Sequence, residues 1–140
     1  MSIAEIEQEI TEEFDLFADN WELKYEQLIE LGKSLPLINE KYKTEEHIIK
    51  GCQSKVWLHS ELGNGKVLYT ANSDAIITKG MVALMIRVLS NQKPDDILQA
   101  DLAFIDKIGL NEHLSPTRAN GLLSMIKQMK LDALALKNKL

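Results

Sequence analysis

The stretch KVWLHSELGNGKVLYTAN, residues 55–72, decides how this chain folds. Val56, Leu58 and Leu62 alternate with polar residues, which is the two-residue period of a half-buried strand. The Gly-Asn-Gly run at 63–65 supplies residues that tolerate a positive φ, as a tight turn requires. The residues after the turn have the composition of a returning strand. The stretch therefore predicts an antiparallel β-hairpin.

Helical patterns precede this hairpin. Apolar residues recur at three- and four-residue steps close to the N-terminus, and Ser2 and Glu5 have the spacing of a capping box. A second helix is expected from about Asn20 to Leu31, with Gly32 as its C-terminal cap. The segment EHIIK that follows is compatible either with a short strand or with an irregular lead-in to the hairpin.

Helical patterns also follow the hairpin. Ser73 or Asp74 is expected to cap a helix with a broad apolar stripe, and a short helix is expected to start at Pro94. Ser115 as N-cap and Pro116 at the first helical position predict a last helix that reaches about Lys137. The fold class is therefore α+β: one domain, 1–140, in which a small antiparallel sheet, expected to have three strands, packs against helices from both ends of the chain.

Composition and charge exclude several classes of function. The 140 residues suffice for one domain, and 45% hydrophobic and 26% charged residues are ordinary values for a folded protein. A net charge of −5 with an acidic N-terminal region offers no basic surface for nucleic acid. No apolar run approaches the ~20 residues that span a bilayer, and no signal peptide is evident. The single cysteine agrees with a reducing compartment, so we expect a cytoplasmic protein.

That single cysteine, Cys52, is the leading candidate for chemistry. A lone cysteine in a small intracellular protein is most often a buried apolar residue. Here, however, it is flanked by Gly51, Gln53 and Ser54, where the backbone can bend and hydrogen-bond donors are near. This context favours a reactive thiol on a loop, in which Gln53 and Ser54 bond the loop backbone.

The sequence gives little support to metal or hydrolase chemistry at Cys52. His47, His59 and His113 show no spacing that predicts a Cys-His pair or a zinc site. An iron-sulfur cluster held within the chain would need more thiolate ligands than one cysteine provides.

Three further residues have both a structural and a functional interpretation. Arg118 falls in the first turn of the last helix, where the helix dipole disfavours a cation, so either a salt bridge or an anion contact near the thiol is expected. Asp74 is either a helix cap or part of a site. Trp57 is interpreted as core or rim packing, with a ligand platform as the alternative, and with Val56 it is expected to anchor the strand against which the loop moves.

Three motifs in order resemble the SufE/CsdE family of sulfur-acceptor proteins. They are GCQSKVW at 51–57, NSDAIITKGMVALMI at 72–86 and LSPTRANGLLSMI at 114–126. The likeness runs from NWELKYEQLIELGKSLP, which begins at residue 20, to the final helix. The resemblance implies a fold shared with the IscU-type scaffolds. The departures are small, such as Thr117 where serine is frequent in the family, and none falls in the cysteine motif.

The resemblance also implies a function. Cys52 would accept a sulfane sulfur from the persulfide of a SufS/CsdA-type cysteine desulfurase, stimulate that enzyme, and pass the sulfur to iron-sulfur scaffold proteins. The pyridoxal phosphate would belong to the desulfurase, so no cofactor is expected here. The family pattern places Asp74 and Arg118 near the thiol loop or on the desulfurase-facing surface, and family members commonly self-associate, which implies a homodimer.

Two alternatives remain open from the sequence. A non-catalytic regulatory module would bind the desulfurase through Asp74 and Arg118 while Cys52 is merely packed. A one-cysteine peroxidase would oxidise Cys52 directly. For the carrier, a loop that alternates between an apolar shelter and an exposed position would protect the persulfide between transfers.

Overall fold

The structure, a computed structural model, describes all residues from 1 to 140. Seven α-helices surround a two-stranded sheet, and two short 3-10 turns, Glu40–Tyr42 and Glu45–His47, precede that sheet. In chain order the elements are α1 (Ile3–Asp15), α2 (Trp21–Lys33), β1 (Val56–Gly63), β2 (Lys66–Ser73), α3 (Ile76–Leu89), α4 (Pro94–Gln99), α5 (Phe104–Lys107), α6 (Leu110–His113) and α7 (Pro116–Lys137). The α+β prediction is confirmed.

The hairpin forms as its turn residues predict. Gly63 pairs with Lys66 at the end of the ladder, which leaves Asn64 and Gly65 as a two-residue loop. Both loop residues have positive φ, 55° and 77°, the backbone of a type I′ turn. This turn matches the right-handed twist of the strands and thereby sets the register, so that Val56 and Leu58 face the core.

The expected third strand is not formed, and the sheet has two strands. Three short segments instead make single bridges along the outer edges of the hairpin, pairing Leu37 with Ala71, Ile48 with Trp57 and Val67 with Gln92. The EHIIK segment stays irregular because its first residues belong to the second 3-10 turn, so only its last apolar residues reach β1.

Helix α3 is the centre of the core, and ten of its 14 residues are buried. Its closest neighbour is α2, and the two helices approach through glycines. A Cβ added to Gly32 would lie 3.1 Å from the Gly80 backbone nitrogen, and one added to Gly80 would overlap the Leu28 carbonyl oxygen. The prediction that Gly32 caps α2 is therefore wrong: it lies inside the helix, where its small size permits this contact.

Two of the three predicted N-caps are confirmed. Ser2 and Glu5 form the reciprocal capping box of α1, and the Ser115 hydroxyl accepts from the backbone N–H of Arg118 at the start of α7. The cap of α3, however, is Ala75, which has no side-chain oxygen to offer. The prediction of Ser73 or Asp74 as cap is wrong: both side chains bond the Lys55 backbone, and the Ser73 hydroxyl also accepts from the N–H of Ala75, but neither bonds an N–H inside the helix.

Helix α7 packs across the hairpin and brings its first turns beside the segment that precedes β1. The buried Tyr69 hydroxyl donates to the Met129 carbonyl at 2.7 Å, and the Ser60 hydroxyl donates to the Asp132 carboxylate at 2.6 Å. These two bonds fix the helix against both strands. No helix has the length and apolar character needed to cross a bilayer.

Candidate functional site: a thiol loop on helix α7

The loop at 50–55 carries the cysteine and rests on α7. Gly51 has φ = 95°, a conformation that L side chains rarely adopt. A Cβ at this position would also overlap the Ser124 hydroxyl oxygen and lie 3.2 Å from the Ser124 Cβ. Glycine is therefore required here for two reasons, the backbone conformation and the close approach of the loop to the helix.

The thiol itself lies against a second glycine. The Cys52 Sγ donates to the Gly121 carbonyl oxygen at 3.5 Å, and a Cβ on Gly121 would be 3.6 Å from that sulfur. Cys52 is half-buried at the edge of the hydrophobic core. An S–H donor is weak, so this contact places the sulfur without holding it strongly.

Burial raises the pKa of the Cys52 thiol above its ordinary value. Desolvation is the cause, because a low-dielectric environment disfavours the thiolate. The thiol is therefore less reactive in this position than a free cysteine at neutral pH. Movement of the loop into water would restore the ordinary pKa.

A half-open cavity of about 590 Å³ lies beside the thiol. Half of its lining residues are hydrophobic, Arg118 is its one charged residue, and no acidic side chain lines it. The lining residues are Cys52, Gln53, Ser54, Ala75, Ile76, Ile77, Thr78, Met81, Ser115, Thr117, Arg118 and Met125.

The structure thus brings Arg118 to the same cavity as Cys52. Arg118 is exposed and joins none of the four salt bridges in the protein. The salt-bridge interpretation of this residue is therefore wrong. Its guanidinium stands free beside the N-terminus of α7, and both features favour a negative charge at this end of the cavity.

Asp74 braces the end of the thiol loop and does not line the cavity. Its carboxylate accepts from the Lys55 N–H at 3.1 Å, and its own backbone N–H donates to the Lys55 carbonyl at 3.3 Å. The Ser73 hydroxyl donates to the same carbonyl at 2.9 Å. These bonds fix Lys55, the last residue of the loop, to the end of β2.

Gln53 and Ser54 line the cavity, but no hydrogen bond from either side chain to the loop backbone is formed. The prediction that they bond the loop backbone is wrong, and Asp74 and Ser73 have that role at one end of the loop. Trp57 is outside the cavity lining. It bridges to Ile48 along the outer edge of β1, and the Lys43 ammonium lies 4.8 Å from its ring.

No histidine reaches the thiol cavity. The rings of His47 and His59 lie 5.7 Å apart, and His59 stacks on Tyr42 at 3.7 Å. His113, the exposed last residue of α6, stacks on Trp21 of α2 at 3.9 Å. Cys52 therefore has no imidazole base beside it.

Sequence reasoning missed four residues around the thiol: Thr78, Gly121, Ser124 and Met125. Gly121 lies within the motif LSPTRANGLLSMI at 114–126, but the sequence assigned it no role. Its position could have indicated a role, since a glycine inside an otherwise helical pattern often marks a close approach of another segment.

These observations define a class: a small α+β protein with one thiol on a glycine-led loop, beside an open cavity with a free cation. Residues 8–133 match the family described as "SufE: Fe-S metabolism associated domain". The chain belongs to the SufE family, which is associated with iron-sulfur metabolism.

Several relatives resemble the chain over most of its length. An uncharacterised SufE-like protein of Rhizobium meliloti is 42% identical over 84% of this chain and 87% of its own. A SufE-like protein of Synechocystis is 39% identical over 80% of this chain and 70% of its own. SufE-like protein 1 of Arabidopsis thaliana, named chloroplastic/mitochondrial, is 41% identical over 83% of this chain but only 32% of its own.

The fold is also similar to that of a solved structure. The solution structure of a hypothetical protein from Thermus thermophilus superposes with a TM-score of 0.79, covering 95% of this chain and 96% of that one, at 21% identity. This likeness concerns the fold alone.

Proposed function

We propose that this protein is a persulfide carrier in iron-sulfur cluster assembly. Cys52 accepts a sulfane sulfur from the active-site persulfide of a pyridoxal-phosphate-dependent cysteine desulfurase of the SufS/CsdA type. The carrier stimulates that enzyme by removing its sulfur and delivers the sulfur to an iron-sulfur scaffold protein. The exchange takes place in the cytoplasm, where a lone thiol stays reduced.

One observation carries this proposal: the only thiol of the chain lies on a loop that contacts α7 through a weak S–H bond and a glycine. The loop backbone is fixed by Asp74 at its Lys55 end. At the other end, Gly51 leaves the backbone free to adopt conformations that other residues avoid. A hinge of this kind lets the thiol leave its shelter and enter the site of another enzyme.

The transfer is a balanced exchange. The Cys52 thiolate attacks the outer sulfur of the donor persulfide, a new S–S bond forms on Cys52, and the bond between the two donor sulfurs breaks. The electron pair of the broken bond leaves on the sulfur of the desulfurase cysteine. No external oxidant or reductant is needed.

The raised pKa of the sheltered thiol gives the carrier two states. Against Gly121 the thiol is protonated and unreactive, whereas in water a larger fraction is thiolate and able to attack a persulfide. Docking of the desulfurase that draws the loop outward would therefore activate the acceptor at the moment of transfer.

The test is intact-mass analysis after incubation with a purified cysteine desulfurase and L-cysteine. We expect wild-type protein to gain one sulfur atom that a reductant removes, and we expect the desulfurase to turn over faster. Cys52→Ser should remain unmodified and should not stimulate turnover. Stimulation that survives Cys52→Ser would instead support the regulatory module, and modification by peroxide alone would support the peroxidase.

A further inference from the structure

The cavity beside Cys52 is larger than the storage of one sulfur atom requires. Pockets that bind small molecules commonly measure about 300–1,000 Å³, and this cavity, at about 590 Å³, lies within that range. Apolar side chains, the Cys52 thiol and Arg118 all line it. A ligand could therefore contact the sulfur and the guanidinium together.

The Arg118 end of the cavity favours an anion. Arg118 has no acidic partner, and the backbone N–H of Thr117, in the first turn of the 22-residue helix α7, makes no hydrogen bond within the chain. The positive end of the helix dipole adds to the charge of the guanidinium. No acidic side chain in the lining opposes an anion there.

A second observation, independent of the helix, also points to a ligand. Thr78 in α3 is only 7% exposed and lines the same cavity. None of the hydrogen bonds in the chain uses its hydroxyl, and no polar side-chain atom of the protein is sealed from solvent without a partner. The Thr78 hydroxyl is therefore accessible as a free donor and acceptor at the cavity, which Met125 also lines.

We propose that this cavity binds a small thiol bearing a carboxylate, and that this thiol is a second acceptor for the sulfur carried by Cys52. The carboxylate pairs with Arg118, the Thr78 hydroxyl contacts the ligand, and the apolar stem lies on Met81 and Met125. The ligand sulfur then faces Cys52. The transfer step rests on the carrier function proposed above, whereas the binding step does not.

The second transfer balances without a further reactant. The ligand thiolate attacks the outer sulfur of the Cys52 persulfide and forms a new S–S bond. The bond between the two sulfurs on Cys52 breaks, and its electron pair stays on the Cys52 Sγ as a thiolate. The products are a small-molecule persulfide and the carrier without its extra sulfur.

The binding step is tested with a ligand that cannot react. Methylthiopropionate has the carboxylate and stem but a blocked sulfur, and its titration into the full chain should shift the backbone amide signals of Thr78 and Thr117. The shifts should be absent in Arg118→Gln and retained in Lys127→Gln, which removes an equal charge from an exposed position on α7 outside the cavity. Shifts that are absent in wild type, or unchanged in Arg118→Gln, would overturn the site.

The transfer step is tested on protein in which inorganic polysulfide has converted Cys52 to its persulfide, so that no desulfurase is needed. Mercaptopropionate or its methyl ester is added, and intact-mass analysis measures how fast the extra sulfur is lost. Each rate is divided by the concentration of the small molecule in its thiolate form. We expect saturation and about a fivefold faster discharge with the acid, since charge-assisted hydrogen bonds exceed neutral ones. Arg118→Gln should abolish this preference while the ester rate stays unchanged.

A substitution at Thr78 gives a further readout with little risk to the fold. Thr78→Val keeps the shape and removes only the hydroxyl, so half-saturation should need several-fold more mercaptopropionate while the ester rate is unaltered. Equal, linear rates for acid and ester in the wild type would overturn the proposal. The proposal would also be overturned if Arg118→Gln protein accepts sulfur slowly from a desulfurase but passes it to mercaptopropionate at the normal rate. Arg118 would then serve the docking of the desulfurase.

If a desulfurase transfers no sulfur to Cys52, the proposed carrier function is wrong. The titration and the experiment with polysulfide-treated protein still show whether the cavity binds a small anionic thiol.

Discussion

Gly51 and Ser124 fit against each other with no room for a side chain on the glycine. This contact holds the thiol loop on α7, and Gly51 also has φ = 95°. The resting position of Cys52 therefore depends on a residue that bears no functional group.

Gly51→Ala should push the loop away from α7 and expose the thiol. Alkylation of Cys52 by iodoacetamide at fixed pH is expected to accelerate several-fold, because the sulfur gains water and its pKa falls toward the ordinary value. Gly65→Ala is the matched control: its φ is also positive, at 77°, but nothing lies within 4 Å of the added Cβ. Equal alkylation rates in the two variants would show that the close fit of Gly51 against Ser124 does not control exposure of the thiol.

The pH dependence of Cys52 alkylation follows from its raised pKa. Only the thiolate reacts, and a raised pKa lowers the thiolate fraction at any pH below it. The rate in folded protein should therefore rise at higher pH than in urea-unfolded protein, where burial is lost. Alkylation rates measured by quenching the reaction at set times, from pH 7 to 11, give the pH profile of the folded and of the unfolded protein. Coincident profiles would contradict a sheltered thiol.

Two helical glycines should respond to alanine with opposite signs. Gly80→Ala should lower the free energy of unfolding by about 1–3 kcal/mol, because the new Cβ overlaps the Leu28 carbonyl and separates α2 from α3. Gly121→Ala places its Cβ 3.6 Å from the Cys52 sulfur, an ordinary contact. The better helix propensity of alanine should then raise stability by up to about 1 kcal/mol. Urea denaturation of both variants measures the difference, and a stabilised Gly80→Ala would refute the close approach.

The Arg87 side chain connects α1 to α3 through Glu9 and Glu13. It bonds Glu9 at 2.6 Å and also donates to Glu13, and these bonds raise the pKa of its guanidinium. Arg87→Met should cost about 1 kcal/mol, since the cluster is partly shielded from water. The exposed Lys33–Glu30 pair is the control, and Lys33→Met should cost under about 0.5 kcal/mol. Equal losses would argue against a special role for Arg87.

Local signals in the sequence predicted local structure well. The Asn64-Gly65 turn, the Ser2–Glu5 capping box and the Ser115-Pro116 helix start each depend on atoms within a few residues of one another. A pattern read along the chain contains that information. For the same reason the resemblance of the cysteine motif correctly indicated the family.

The errors arose where a residue serves a distant partner. Gly32 has the composition signal of a cap, but its function is to admit Gly80 of another helix. Asp74 precedes a helix as a cap would, yet its carboxylate bonds Lys55, which is 19 residues away. Gly121 supports a sulfur 69 residues distant. Only the three-dimensional arrangement reveals such pairings.

Each outer edge of the hairpin is paired at one or two residues by other segments of the chain. The single bridges at Leu37, Ile48 and Gln92 use some of the outward-facing backbone groups that a free strand would offer to another polypeptide. These bridges leave less of each edge free for a strand of another protein to pair with. The carrier proposed above would accordingly depend more on side chains and the cysteine loop than on strand pairing for contact with its partners.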